Sequence, residues 1–208
     1  MVMNVNEPYG AAPVTHTAGS SNLRADVFSI PRPYVESLVP GDLVKLSGEG
    51  HRDGKVAEIN LWEQSDPEDI LGVLLGFSAD YALQDDNGNH GLFTDSALKK
   101  YYPANTDEQW YANVITDPDC LLKMRVTSGA FTPAMVGLNV DVTARAPRLN
   151  AYPVPGFGLD MGTAAAAAAL PLTIVRASDE IGNVPTDPFA EIFVRINRHA
   201  RRVAKAGI

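Results

Sequence analysis

Short apolar runs, interrupted by Pro, Gly and Asn, recur along most of the chain. Residues 26–30 (Asp-Val-Phe-Ser-Ile) are rich in strand formers and end at Pro31 and Pro33. Residues 43–46 form a second strand pattern after the Pro40-Gly41 turn signal. Residues 70–77 hold six apolar side chains and two glycines, which suits a buried strand approached closely by other backbone. Two further strands are expected over 111–115 and 121–126, with Thr116-Asp117-Pro118-Asp119 between them. Residues 132–137 have a Thr cap, a first-turn Pro and a closing Gly, and so predict one helical turn before a strand over 138–143. Residues 172–175 and 190–197 supply the last strands. The latter sets Ile192, Val194 and Ile196 on one face and Glu191, Phe193, Arg195 and Asn197 on the other. The pattern predicts an all-β fold, a β-barrel or β-sandwich with long loops.

The flanks read differently. Residues 1–25 lack periodicity and are rich in Asn, Pro, Gly, Thr, Ser and Ala, so they are expected to form an extended N-terminal arm. The β-rich body spans 26–199. Within it, 145–169 read as a long Pro/Gly loop or small lobe, with a six-alanine run too short to be a stable helix alone. Residues 200–208 form a basic C-terminal tail. The first eight residues lack the basic and apolar regions of a signal peptide, and no run of 18 apolar residues is long enough to cross a membrane.

Charge sharpens the picture. The 208 residues carry a net charge of −8, unevenly distributed. Residues 61–119 hold 12 acids and two bases, whereas 195–208 hold five bases and no acid. An acidic body disfavours nucleic acid. The basic end reads as a solvated tail able to dock on an acidic partner. With 45% hydrophobic and 20% charged residues the composition is globular, and the single Cys120 excludes an intramolecular disulfide or a Cys-based metal cluster.

No motif for nucleophilic catalysis, zinc hydrolysis or phosphate binding is present. His16, His51, His90 and His199 are far apart and read as solvated polar residues. Cys120 reads as a small buried side chain whose acidic neighbours raise its thiol pKa. The Asp85-Asp86-Asn87-Gly88-Asn89 stretch reads as a hairpin tip, with a weak cation site as the alternative. Glu63, Asp66, Glu68 and Asp69 are expected in a solvated acidic loop, and Tyr101, Tyr102, Trp110 and Tyr111 in the interior. The expectation is a non-enzymatic protein with no catalytic, cofactor or metal residue.

The order of several segments carries a resemblance: Ile70-Leu71-Gly72-Val73 with Gly76-Phe77, then Tyr102-Pro103-Ala104-Asn105-Thr106, then 111–115 with Asp117-Pro118. The turn at 132–137 before Asn139-Val140-Asp141 follows, then 170–175 and 192–199. In these features residues 40–199 resemble the cement or decoration proteins of tailed-bacteriophage heads. The acidic 61–69 loop and the basic end beyond His199 depart from that pattern. The resemblance implies a β-rich structural protein, made in the bacterial host cytoplasm and located on the outer surface of the virion capsid. It implies that the protein bridges neighbouring major capsid subunits as a homo-oligomer, with a trimer favoured at three-fold sites. Its partners would be the major capsid protein and copies of itself, with no nucleic acid, membrane or cofactor. Under that reading Val5, Tyr9, Val14 and Leu23 anchor the arm on a neighbour, and Arg201 and Arg202 contribute from the basic end. The competing expectations are another virion part, such as a head–tail joining or tail protein, and a β-barrel ligand binder or enzyme.

Overall fold

The computed structural model describes residues 9–17, 19, 23–50, 56–64, 66–78, 102, 110–145, 155–202 and 207, with backbone only at 49, 50 and 78. The strands are β1 (Ala12–His16), β2 (Ala25–Ile30), β3 (Leu43–Gly50), β4 (Ala57–Leu61), β5 (Gly72–Ser78) and β6 (Trp110–Ile115). They continue as β7 (Cys120–Ser128), β8 (Asn139–Val142), β9 (Leu159–Ala165), β10 (Leu172–Ala177) and β11 (Glu191–Ile196), with a 3-10 turn at Pro133–Met135.

These strands close into two five-stranded barrels. The first runs β2-β4-β3-β5-β6 and back to β2. The second runs β7-β11-β10-β8-β9, closed by a parallel β7–β9 pairing. The all-β expectation therefore holds, as barrels. Within the stretch read as a loop or small lobe, Leu159–Ala165 form β9 of the second barrel.

The two barrels have one connectivity. Matching β2 through β6 with β7 through β11 in order reproduces every pairing and its direction. The first strand pairs parallel with the third (β2–β4, β7–β9) and antiparallel with the fifth (β2–β6, β7–β11). The remaining three pairings are antiparallel in both barrels. The match extends to single hydrogen bonds. Gly41 N–H donates to the Leu74 carbonyl as Gly137 N–H does to that of Ile174, and Leu74 N–H donates to Asp42 as Ile174 N–H does to Leu138. Gly41 and Gly137 both take positive φ, +94° and +89°, two residues before the second strand of their barrel. The register shift in β5 between Leu74 and Gly76 recurs in β10 between Ile174 and Arg176. The chain is an internal structural duplication.

Alternation fills both interiors. Ile30, Val44, Ile59, Leu61, Leu74, Ala112 and Val114 line the first barrel. Trp110 is packed there edge-on by Tyr102 and Phe77, each with ring centroids 5.3 Å away. Leu122, Met124, Val140, Leu159, Leu172, Ile174, Ile192 and Val194 fill the second barrel, continuous with Leu43, Trp62, Ile70, Val73 and Ile115 from the first. The barrels thus share an apolar seam, and each fully buried aliphatic side chain along it contributes about 1.5–3 kcal/mol. β5 starts hard against β6, where a Cβ on Gly72 would lie 2.0 Å from the Ile115 carbonyl oxygen; only glycine fits.

The segments before the first barrel and after the second strap the seam. β1 pairs antiparallel with the first half of β7, Ala12 opposite Lys123 and His16 opposite Cys120. Just before it Ala11 N–H donates to the Gly41 carbonyl of the first barrel. Gly10, at φ +71°, passes so close to Pro155 and Gly41 that a Cβ would lie 2.4 Å from the Pro155 Cβ. After β11 the chain returns to the first barrel: Ile70 N–H donates to the Arg198 carbonyl, and Ala200 N–H to that of Ile70.

Candidate functional site

Ion pairs gather where the straps cross. Arg198 donates to the Asp69 carboxylate at 3.2 Å and to the backbone carbonyls of Asp66, Pro67 and Glu68. Lys45 Nζ, with Asp66 at 3.0 Å and Glu68 at 3.1 Å, neutralises the same loop. Arg201 donates to Asp26 at 3.2 Å and to the Thr116 hydroxyl at 2.8 Å, and Thr116 donates to Asp26 at 2.6 Å. Arg202 donates to Asp119 at 2.7 Å and to the Ile196 carbonyl at 2.6 Å. The acidic loop at 63–69 and the basic residues 198–202 were each expected to be solvated. Instead Arg198 pairs with that loop, while Arg201 and Arg202 pair with Asp26 and Asp119, because the strap carries the arginines back over the first barrel.

Two buried titratable groups sit at this junction. Asp42, 0% exposed, enters β3; its Oδ2 accepts the Val39 N–H at 2.7 Å and an Arg145 N–H at 3.1 Å. Arg145, leaving β8 of the other barrel, also donates to the Ser37 carbonyl at 3.0 Å. Burial pushes the Asp42 carboxyl up to about 7, against the pull of Arg145. The duplication puts Leu138 at the matching place in the second barrel, so this charge belongs to the junction and not to the barrel design. His199 is 0% exposed, which corrects the expectation of a solvated histidine. Its Nδ1 accepts the Arg201 N–H at 3.0 Å, and burial together with Arg202 and Arg201 lowers its pKa to about 4.

Other expected sites can be placed one by one. His16, Asp117 and Asp119 bring three donor atoms within 4.8 Å of one another, the one such group among the described residues. His16 lies 3.5 Å from Asp117, and Asp119 is held by Arg202, so the trio works as an extension of the ion-pair network. Cys120 is buried as expected, and burial followed by the Asp117 charge raises its thiol to about 12. Tyr102, Trp110 and Tyr111 are interior. His51, His90, Tyr101 and the Asp85–Asn89 tip lie outside the described residues.

The arm anchors divide. Tyr9 turns inward: its hydroxyl donates to Glu191 at 3.3 Å, and the Arg125 guanidinium stacks 4.9 Å from its ring centroid. Leu23 packs against the apolar cluster that runs across the seam. Both are engaged within their own chain. Val14, the bulge residue of β1, is 43% exposed. Val5 lies outside the described residues. Arg201 and Arg202 hold the C-terminal strap, as described above.

The outer face of the second barrel holds a feature that strand patterns did not mark. Lys123, Arg125 and Glu191 form a charged row, Lys123 pairing with Glu180 at 2.7 Å and Arg125 with Glu191 at 2.9 Å. Above the row the loop from Ser178 to Ala190 bounds a cavity of about 200 Å³, lined by Arg125, Glu180, Ile181, Asn183, Phe189 and Glu191. The one signal in the sequence was a lone Ile181 within a turn-rich acidic stretch. Set against known protein families, curated proteins and solved structures, the chain matches none of them.

Proposed function

We propose that the chain is a non-enzymatic structural protein of a phage virion, binding the outer surface of the capsid and bridging neighbouring major capsid subunits. The observation that carries this reading is the duplication: one connectivity, repeated down to single hydrogen bonds, in a single chain. Two like barrels fixed side by side present two related surfaces at a set spacing. That suits a body that grips two copies of the same subunit, and simultaneous engagement converts modest contacts into avidity. The seam supports it as well. Apolar contact, both straps and the Asp42–Arg145 pair join the barrels, so a pull on one is transmitted to the other. The segment order of cement proteins described above points the same way. A homo-oligomer, a trimer at a three-fold site, would multiply the grip.

Cryo-electron microscopy of purified particles tests the proposal. Density for both barrels between capsomers on the icosahedral lattice is the expected result. Density confined to the tail or the head–tail joint would replace it with another virion role, and absence from the particle would refute it.

A further inference from the structure

The loop between β10 and β11 is built to hold an apolar side chain in water. Ile181 at its tip is 98% exposed, with Val184 and Pro188 exposed beside it. Isolated exposed aliphatics are common and call for no explanation, but this one stands on a braced platform. Asn183 Nδ2 donates to the carbonyls of Ser178 (2.9 Å) and Glu191 (3.0 Å), and its Oδ1 accepts the Glu191 N–H at 2.8 Å. Ser178 N–H donates to the Glu191 carbonyl, and turns at Asn183 and Asp187 each add an internal hydrogen bond. Phe189 is held at φ 62°, a left-handed conformation that side chains rarely adopt; it is the one non-glycine residue with positive φ among those described. Strain of this kind persists where the surroundings enforce it, and it gathers at binding elements. The cavity of about 200 Å³ lies behind the tip.

Charge indicates the partner. Residues 177–194 contain Asp179, Glu180, Asp187 and Glu191 but no Lys, Arg or His. The Asp179 and Glu180 side chains are 87% and 59% exposed, while the Lys123 beneath is only 20% exposed. Arg176, 47% exposed, pairs with Asp179, and Lys123 pairs with Glu180, but both carboxylates stand further into solvent than their partners, so an approaching surface meets them first, around an aliphatic knob.

We propose that this loop is a preformed docking knob, Ile181 entering an apolar socket rimmed by Lys or Arg on a protein partner. The inference rests on the capsid reading for the partner's identity, which makes the socket a feature of the major capsid subunit. A rigid loop binds with little loss of conformational freedom, and a central aliphatic with acidic neighbours gives anchor and steering together.

The test measures binding of purified chain to heads assembled from the major capsid protein without this chain. Wild type is compared with I181D, I181V, D179K and, as a control on another half-exposed aliphatic, V136D. Ile181 touches little of its own chain, so the unfolding midpoints of I181D and I181V should match wild type, and the midpoints of D179K and V136D are measured beside their affinities to show that each is folded. The expected result is at least a tenfold loss of affinity for I181D, retention for I181V and V136D, and association several-fold slower for D179K at moderate salt. I181D binding within twofold of wild type would overturn the knob while leaving the capsid reading in place. Unchanged association by D179K would overturn the basic rim. Failure of wild type itself to bind would overturn the capsid reading, and the assignment of the socket with it.

Discussion

Replacing Asp42 by Asn removes one buried charge and keeps the shape. The native carboxyl titrates near 7 and an unfolded one near 3.8, so the folded state holds this proton about three decades more tightly. A group raised in the native state adds stability that is complete below its unfolded value and disappears as pH rises through its folded value. Between pH 5 and 7 the loss is about 1.4 kcal/mol per pH unit, so wild type should lose roughly 3 kcal/mol relative to D42N on going from pH 5 to pH 8. For a chain of this length that is on the order of 6–12 °C in Tm. His199 works in the opposite sense. Lowered from 6.5 to about 4, it adds stability present above 6.5 and lost as pH falls toward 4. The two slopes oppose each other between about 4 and 6.5, so this pair leaves the wild-type profile nearly flat there. D42N should then become more stable as pH rises across that window, and H199Q less stable. Urea unfolding followed by fluorescence of Trp62, which lies at the seam, and Trp110, inside the first barrel, measures all three proteins. A wild-type-minus-D42N difference constant to within about 0.5 kcal/mol from pH 5 to 8 would refute the reasoning.

The C-terminal strap gives a second expectation. R198A strands the Asp69 carboxylate and three backbone carbonyls and should cost about 2 kcal/mol by urea unfolding, with R198K recovering little because an ammonium lacks the guanidinium fork. G72A forces a Cβ against the Ile115 carbonyl and should cost about 3 kcal/mol or more, whereas G76A, with open space at its Cβ, should stay within about 0.5 kcal/mol; equal effects would contradict the close approach of β5 and β6. Cys120, buried and raised to about 12, should resist a thiol-reactive disulfide reagent at pH 8 and react promptly once urea unfolds the chain; rapid native labelling would place the sulfur elsewhere.

Strands whose apolar residues alternate or run together were legible in the sequence. β2, β3, β5, β6, β7, β8, β10 and β11 fall within a few residues of their expected positions. Ile192, Val194 and Ile196 point inward as the alternation required, and Phe193, on the opposite face, is covered by the Arg176 guanidinium 4.3 Å from its ring centroid. β4 was available too, since Ile59 and Leu61 are buried between the less buried Glu58 and Asn60, but five residues beside a turn-rich stretch make a faint signal. β1 and β9 were not legible. Pro13 and a bulge interrupt the first, and Gly162 with the start of the alanine run obscures the second; each is a strand because a distant partner accepts its hydrogen bonds. The duplication was hidden for the same reason. Gly41 and Gly137 coincide, but Asp42 faces Leu138 and Gly72 faces Leu172, so what repeats is backbone pairing and not side chains. Ile181 escaped because exposure depends on what a loop stands on, and that requires Asn183 and Glu191 to meet in space.

The straps also impose an order on birth. The strands of the first barrel are contiguous between residues 25 and 115, so that unit can close while the rest of the chain is still being made. β1 emerges from the ribosome before any of them, yet its partner β7 ends more than a hundred residues later. At typical synthesis speeds the arm waits roughly 5–20 s with its hydrogen-bonding groups facing water. The strap after β11 comes later still, because Arg198 and Ala200 follow β11 in the chain and must clear the exit tunnel before gripping Ile70. The first barrel can thus be closed before it is clasped to its neighbour, and the two become one rigid piece last.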